Sequence, residues 1–258
     1  MRTEEVGDQV KANVGVPERK ESPRPIAPYR RPYLGTQPEY LHSPYVSSIA
    51  RAPKLPLIEI PATLSEVTGP DLSVDFSDPK AADLTKQHSG EPIGERIVVS
   101  GRVIDENGRP LRHTPVEIWQ ANACGRYRHE RDQHDAPLDP NFSGNGFTLT
   151  DSNGGYKFIT IKPGSYPWGN HYNAWRPAHI HFSLFGPAFV TRLVTQMYFP
   201  GDPLLPYDPI FNCTGDEKAR HRLISTFDWE NVRPGWCLAY KFEIVLRGRE
   251  ATPFEDEQ

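Results

Sequence analysis

From residue 95 onward, apolar and polar positions alternate in short runs broken by turn-forming residues. The run "ERIVVSGRVID" reads as a strand, "ENGRP" as a turn and "HTPVEIWQA" as the next strand. "GFTLTDSNGGYKFITI" repeats the format, with two strands around Asp-Ser-Asn-Gly-Gly and Tyr156 and Phe158 alternating with Lys157. "AHIHFSLFG", "FVTRLVTQMYF" and "CLAYKFEIVLRG" predict three more. In the last, Leu238, Tyr240, Phe242, Ile244 and Leu246 share one face, while Lys241, Glu243 and Arg247 point the other way. One short helix is expected near 215–227, with Asp216 and Glu217 at its start and a stripe of Ala219, Leu223 and Phe227. Strands with so little helix between them argue against βαβ units. They predict an all-β fold, a β-sandwich core with long loops, over 94–258.

Residues 1–93 follow a different rule. Positions 1–55 lack sustained periodicity and are rich in Pro, Arg and Tyr, as in "RPIAPYRRPYLGTQPEYLHSPYVSSIARAP". Their aromatic content favours an extended N-terminal arm lying on a partner or on the domain over simple disorder. Residues 56–93 add short apolar pieces and the polar loop "DFSDPKAADLTKQHSGEP". Across the chain, 20 Gly and 27 Pro in 258 residues fit many turns and ordered loops. A formal charge of −4 gives no reason to expect nucleic-acid binding. No run is long enough to cross a membrane, and the N-terminus has no apolar signal region. Three cysteines without a close pair, Cys124, Cys213 and Cys237, fit a reducing, cytoplasmic setting.

Candidate chemistry centres on His179 and His181 in "PAHIHFSL". Residues i and i+2 of a strand share a face, so both imidazoles can meet one metal. The pair alone leaves the metal open. An iron(II) facial triad would need a carboxylate, which the residues after His181 lack and which Asp202 or Asp208 would have to bring from farther away. Zinc is a further option, without thiolate spacing to support it. Tyr127 in "WQANACGRYRHE" and Tyr166 in "IKPGSYPWGN" each follow a strand, but spacing alone makes neither a ligand. Two phenolates would suit a trivalent ion, whose charge dominates local titration. Cys124 reads as a small packed side chain, not a nucleophile.

At these residues the chain resembles the intradiol ring-cleaving dioxygenases. "GERIVVSGRVIDENGRP", "VEIWQANACGRYRHE", "LDPNF", "TIKPGSYPWGN", "WRPAHIHFSL" and "TQMYFPGDP" carry the resemblance by their joint order and spacing. It runs from "SPYVSSIARAP" to "YKFEIVLRG". It implies a non-haem Fe(III) held by Tyr127, Tyr166, His179 and His181, with hydroxide or water in the remaining position. Tyr166 matches an axial tyrosine that leaves the metal when substrate binds, and so takes part in catalysis; Tyr127 matches one that stays. Arg176 and Gln196 match positions beside the reacting ring, Trp168 and Ile210 match pocket walls, and Tyr45 matches a residue that helps hold a substrate carboxylate. The implied reaction cleaves the ring of an aromatic diol between its two hydroxylated carbons and places both atoms of O2 in the product, with no reductant or organic cofactor. Gly169 and His171-Tyr172-Asn173 depart from the expected loop, which leaves substrate preference and the role of His171 open.

Residues 1–93 show no amphipathic helices of the kind that dimerise the catechol-specific relatives. This favours the branch that acts on 3,4-dihydroxybenzoate. There an iron-bearing β chain pairs with a homologous α chain, and αβ units assemble further. The alternatives are a related activity on hydroxyquinol or a substituted catechol, a binding subunit keeping a relic of the site, and a purely structural partner chain. The intact set of four ligand positions speaks against the last two.

Overall fold

The computed structural model describes residues 32–58, 78–170, 172, 175–185 and 193–255. The expectations for positions 1–31 and 59–77 of the arm, and for His171, fall outside them. The architecture is predominantly β, in several sheets joined by long loops.

The first sheet is built on β1 (Arg96–Asp105). β4 (Gly155–Ile161) pairs with it antiparallel, Val99 opposite Phe158. On its other side β10 (Leu238–Lys241) and then β11 (Ile244–Leu246) run parallel to it, and β9 (Thr226–Phe227) adds to the edge of β10. The single strand expected over 237–248 is therefore interrupted at Phe242 and Glu243. The cause is local. Gly101 faces the Phe242 carbonyl so closely that a Cβ there would lie 1.8 Å from the oxygen. That carbonyl accepts a 2.6 Å hydrogen bond from the Tyr156 hydroxyl, a side chain taking a place in the ladder. Lys241 pairs with Ser100 and Ile244 with Val103, so the register carries through the interruption.

The second sheet is antiparallel, in the order β3 (Asn145–Leu149), β2 (Pro115–Trp119), β7 (His179–Leu184), β8 (Leu193–Tyr198). Its register sets Trp119 opposite His181 and His181 opposite Gln196, with His179 opposite Tyr198. All six positions of β7 are buried. Ile180, Phe182 and Leu184 enter a core cluster shared with Val99, Phe158 and Phe242 of the first sheet. Phe182 meets Phe158 edge-on with 5.8 Å between ring centroids. The opposite face of β7 carries the two histidines. A two-stranded ribbon, β5 (Tyr166–Pro167) with β6 (Trp175–Arg176), sets Tyr166 opposite Arg176.

Among the described residues helix is confined to short pieces. Asp216 caps Glu217–His221 through the Ala219 amide at 2.9 Å. The helix is shorter than the stripe predicts. Ala219 and Leu223 are buried as expected, but Leu223 and Ser225 bond to the backbone of Tyr198 and draw the chain out of the helix, and Phe227 lies on β9. The short helix Val46–Arg51 has no counterpart in the sequence reading, since six residues are too few to show a helical period. Residues 32–58 bond to the rest of the chain through Glu39 N to Cys213 O (3.1 Å) and Val46 N to Asn170 O (3.0 Å).

Gly101→Ala is expected to destabilise the fold by about 1–3 kcal/mol, because the added methyl meets backbone that cannot yield. For a chain of this size each kcal/mol lowers the melting temperature by roughly 2–4 °C. A variant that melts with the wild type would show that the close approach is not needed.

Candidate metal centre

Four side chains converge where β7, the β5–β6 ribbon and the loop after β2 meet. The Tyr127 hydroxyl lies 3.1 Å from His181 Nε2, and the Tyr166 hydroxyl 3.3 Å from His179 Nε2. The tyrosine rings stand edge-on with centroids 5.3 Å apart, and the imidazoles are 4.9 Å apart at 73°.

Two loops must approach closely to bring the tyrosines together. Gly125, at φ +75°, leaves room for the Ser165 carbonyl, which a Cβ would meet at 2.1 Å. Only glycine adopts that backbone without strain while leaving that space. Gly164 packs as tightly against Ala123 O and bonds to Asn122 O. The Asn122 side chain accepts from the amides of Cys124 and Arg126, both at 2.9 Å, and Asp132 accepts from Tyr127 N at 2.8 Å. Cys124 itself is exposed, not packed as its sequence context suggests, because the turn points it outward.

The imidazoles are aimed by their second nitrogens. His179 Nδ1 is 2.7 Å from Pro177 O, and His181 Nδ1 is 2.8 Å from Glu255 Oε2. A carbonyl and a carboxylate only accept, so each Nδ1 carries the proton and each Nε2 lone pair turns to the tyrosines. Trp119 stacks on His181, 4.6 Å away and 7° from parallel. Burial holds His179 well below the ordinary imidazole range, reinforced by the charge of Arg176. It therefore stays neutral and able to ligate.

The phenols respond oppositely. Burial, then the neighbouring Tyr166, pushes Tyr127 well above the ordinary phenol value, with Arg176 opposing. Burial also raises Tyr166, again opposed by Arg176. In the protein alone both are neutral donors to the two Nε2 atoms. A cation among these four atoms would replace the two phenolic protons and use the same two lone pairs. Two neutral imidazoles and two ionisable phenols make a hard, dianionic donor set, which suits Fe(III). The Tyr166–His179 and Tyr127–His181 pairs are thus consistent with a non-haem Fe(III) ligand site. Among the described residues no three His, Cys, Asp or Glu gather as a metal group, since half of these donors are phenols.

Arg176, only 2% exposed, lies behind them. Its guanidinium bonds both oxygens of the fully buried Asp208, at 3.2 and 2.9 Å, as well as Gln196 Oε1 at 2.7 Å and the Tyr198 hydroxyl at 3.0 Å. Its third nitrogen lies 3.3 Å from the Tyr166 hydroxyl and 3.1 Å from His179 Nε2. Asp208 also caps the short helix Pro209–Asn212 through the Ile210 amide. Asp202 accepts from Ala178 N at 3.0 Å, at the entry to β7. The two aspartates weighed as iron(II) ligands are thus committed to Arg176 and to backbone. Trp168 lies 5.3 Å from the Arg176 guanidinium and 5.3 Å from the ring of Tyr45. Tyr45 is fully buried, with a hydroxyl that has no hydrogen-bond partner among the described residues. Ile210, buried, joins the group through the Asp208 cap. The sequence reading missed Glu255, Tyr198, the Arg176–Asp208 pair and the stacking of Trp119. Only Tyr198 had a signal, two residues from Gln196 on one strand.

A sequence family described as "Dioxygenase" matches residues 67–248, and one described as "Protocatechuate 3,4-dioxygenase beta subunit N terminal" matches residues 29–63. The protocatechuate 3,4-dioxygenase beta chain of Burkholderia cepacia is 59% identical over 222 residues, covering 85% of this chain and 94% of its own length. The chain belongs to the intradiol ring-cleavage dioxygenases. It is closely related to the beta chains of that family. The protocatechuate 3,4-dioxygenase alpha chain of Pseudomonas putida is also similar, 28% identical over 211 residues, which span 78% of this chain and 100% of that one. Among solved structures, hydroxyquinol 1,2-dioxygenase from Pseudomonas putida DLL-E4 aligns at a TM-score of 0.50 and 22% identity, over 83% of this chain and 72% of that one; it shares the fold.

Asp208→Asn removes the counter-charge of a buried guanidinium. It should cost this dioxygenase about 3–5 kcal/mol, the usual loss when one partner of a buried ion pair is removed. Chemical denaturation checks this, and a loss below about 1 kcal/mol would mean that Gln196 and Tyr198 suffice to hold Arg176.

Proposed function

We propose that this chain is the iron-bearing beta chain of a protocatechuate 3,4-dioxygenase. It would open 3,4-dihydroxybenzoate with O2 between the two hydroxylated carbons, giving 3-carboxy-cis,cis-muconate. The observation that carries this reading is the pairing of two phenols with two imidazoles whose Nδ1 atoms are already engaged.

Tyr127, Tyr166, His179 and His181 would hold the metal. Bound there, Fe(III) would supply a Lewis acid for the diol and an acceptor for ring electron density. The rest is the work of side chains. Tyr166, as phenolate, takes a proton from a substrate hydroxyl, and Arg176 beside it tunes its basicity. Arg176, fixed by Asp208, Gln196 and Tyr198, keeps a positive charge aimed at the place where negative charge develops on the substrate. Gln196 holds that guanidinium in place through Oε1. Trp168 and Ile210 confine the ring. The unpartnered Tyr45 hydroxyl is a donor suited to a substrate carboxylate, which favours 3,4-dihydroxybenzoate over an unsubstituted diol.

The same reading assigns 94–258 as a β-sandwich catalytic domain, supported by the core cluster that both large sheets share. Residues 1–93 would form an extended arm with loops. Leu34, Leu55, Leu57 and Ile58 are exposed there, an apolar surface suited to a homologous alpha chain within αβ units and larger oligomers. All three cysteines are free thiols, in keeping with a cytoplasmic enzyme. Among the described residues no helix is long and apolar enough to cross a membrane.

The purified protein, with iron quantified, should show a broad visible tyrosinate-to-Fe(III) band that shifts when 3,4-dihydroxybenzoate is added without oxygen. An iron-replete but colourless protein would reject the two-tyrosine ligand set. Tyr127→Phe should weaken iron binding or move the band; unchanged iron content and spectrum would remove Tyr127 from the ligands. Arg176→Ser should retain iron yet slow ring cleavage by about 100-fold or more, the usual scale for losing one preorganised electrostatic donor. Unchanged turnover would reject its catalytic role.

A further inference from the structure

After β11 the chain folds back over the second sheet. Arg247 and Gly248 both take positive φ, 67° and 80°, and reverse its direction. Thr252 then bonds Val245 in both senses, its amide donating to the Val245 carbonyl and its hydroxyl oxygen accepting from the Val245 amide, each at 2.9 Å. The segment reaches β8, where the Thr195 hydroxyl donates to Pro253 O at 2.6 Å and Glu255 N donates to Val194 O at 2.7 Å. Gln37 holds it from the other side, accepting from Phe254 N at 2.8 Å.

Backbone bonds on β8 fix where Glu255 lies, and its carboxylate ends on His181 Nδ1 with 13% of the side chain exposed. The two imidazoles differ in what holds them: His179 leans on a backbone carbonyl two residues away, and His181 on the carboxylate of a segment that follows β11.

We propose that Glu255 is the positioning residue of His181, fixing its proton on Nδ1 and aiming its Nε2 lone pair as the stronger imidazole donor to the iron. The docking of Ala251–Glu255 on β8 and Gln37 then becomes part of iron retention. This rests on the two-tyrosine, two-histidine iron reading. Partners of this kind, one bond out from a metal, are worth about 10–100-fold in metal affinity.

The test is chelator competition on the purified iron-loaded protein, read as iron content and as the position of the visible band. Glu255→Ala should lower apparent iron affinity by about 10–100-fold and move the band. Glu255→Gln keeps an accepting oxygen without the charge, so it should keep the fold, retain iron better than the alanine variant and still shift the band. Circular dichroism of both variants should match the wild type. If Glu255→Gln holds iron within twofold of wild type with an unmoved band, the carboxylate charge has no role and the proposal fails. It fails equally if iron is lost only together with the circular dichroism signal. A wild-type protein that takes up no iron would instead overturn the iron reading beneath it.

Discussion

A strand buried on both faces must satisfy two kinds of neighbour at once, and β7 is such a strand. Its two-residue period sends Ile180, Phe182 and Leu184 into the common core and His179 and His181 the other way. Hydrophobic packing on one face thereby fixes the height and spacing of imidazoles on the other. A slip of one residue would exchange the faces, putting histidines in the core and Phe182 among polar groups. The site's geometry therefore draws on the same interactions that hold the sheets together. The flanking strands extend the arrangement sideways: Trp119 and Gln196 stand across from His181, and Tyr198 across from His179.

A buried positive charge sets the electrical character of the site. Arg176 is surrounded by acceptors, of which only Asp208 carries a full charge. It opposes the effect of burial on both phenols and adds to burial in keeping His179 neutral. One guanidinium thus favours the ligating form of three of the four metal donors. The metal would supply the rest of the driving force for phenolate formation, since burial alone keeps the phenols protonated.

The strands were legible because each repeats a local rule several times over. β1, β4 and β7 stand where the alternation places them, and the expected common face of His179 and His181 follows from that period alone. The tyrosines were different. Tyr127 and Tyr166 were recognised through family motifs, because the close approach of their loops depends on backbone contacts at Gly125 and Gly164 that no period announces. Single contacts across long stretches left no trace. Glu255 meets His181 from 74 residues away, and Asp208 meets Arg176 from 32. The break at Phe242 was hidden too, since the alternation of Tyr240, Phe242 and Ile244 continues through it while a tyrosine hydroxyl claims the carbonyl.

Asp208 joins two matters that are usually separable. Its carboxylate neutralises Arg176, and it also caps the helix that begins at Pro209 and carries Ile210. The shape of the proposed pocket wall and the strength of the site's electrostatics therefore share one hinge point. Natural or laboratory variation that widens substrate choice at Ile210 can proceed by changing side-chain bulk. Variation that moves the backbone there also retunes the charge facing the metal, so substrate range and reactivity would drift together across relatives built on this plan.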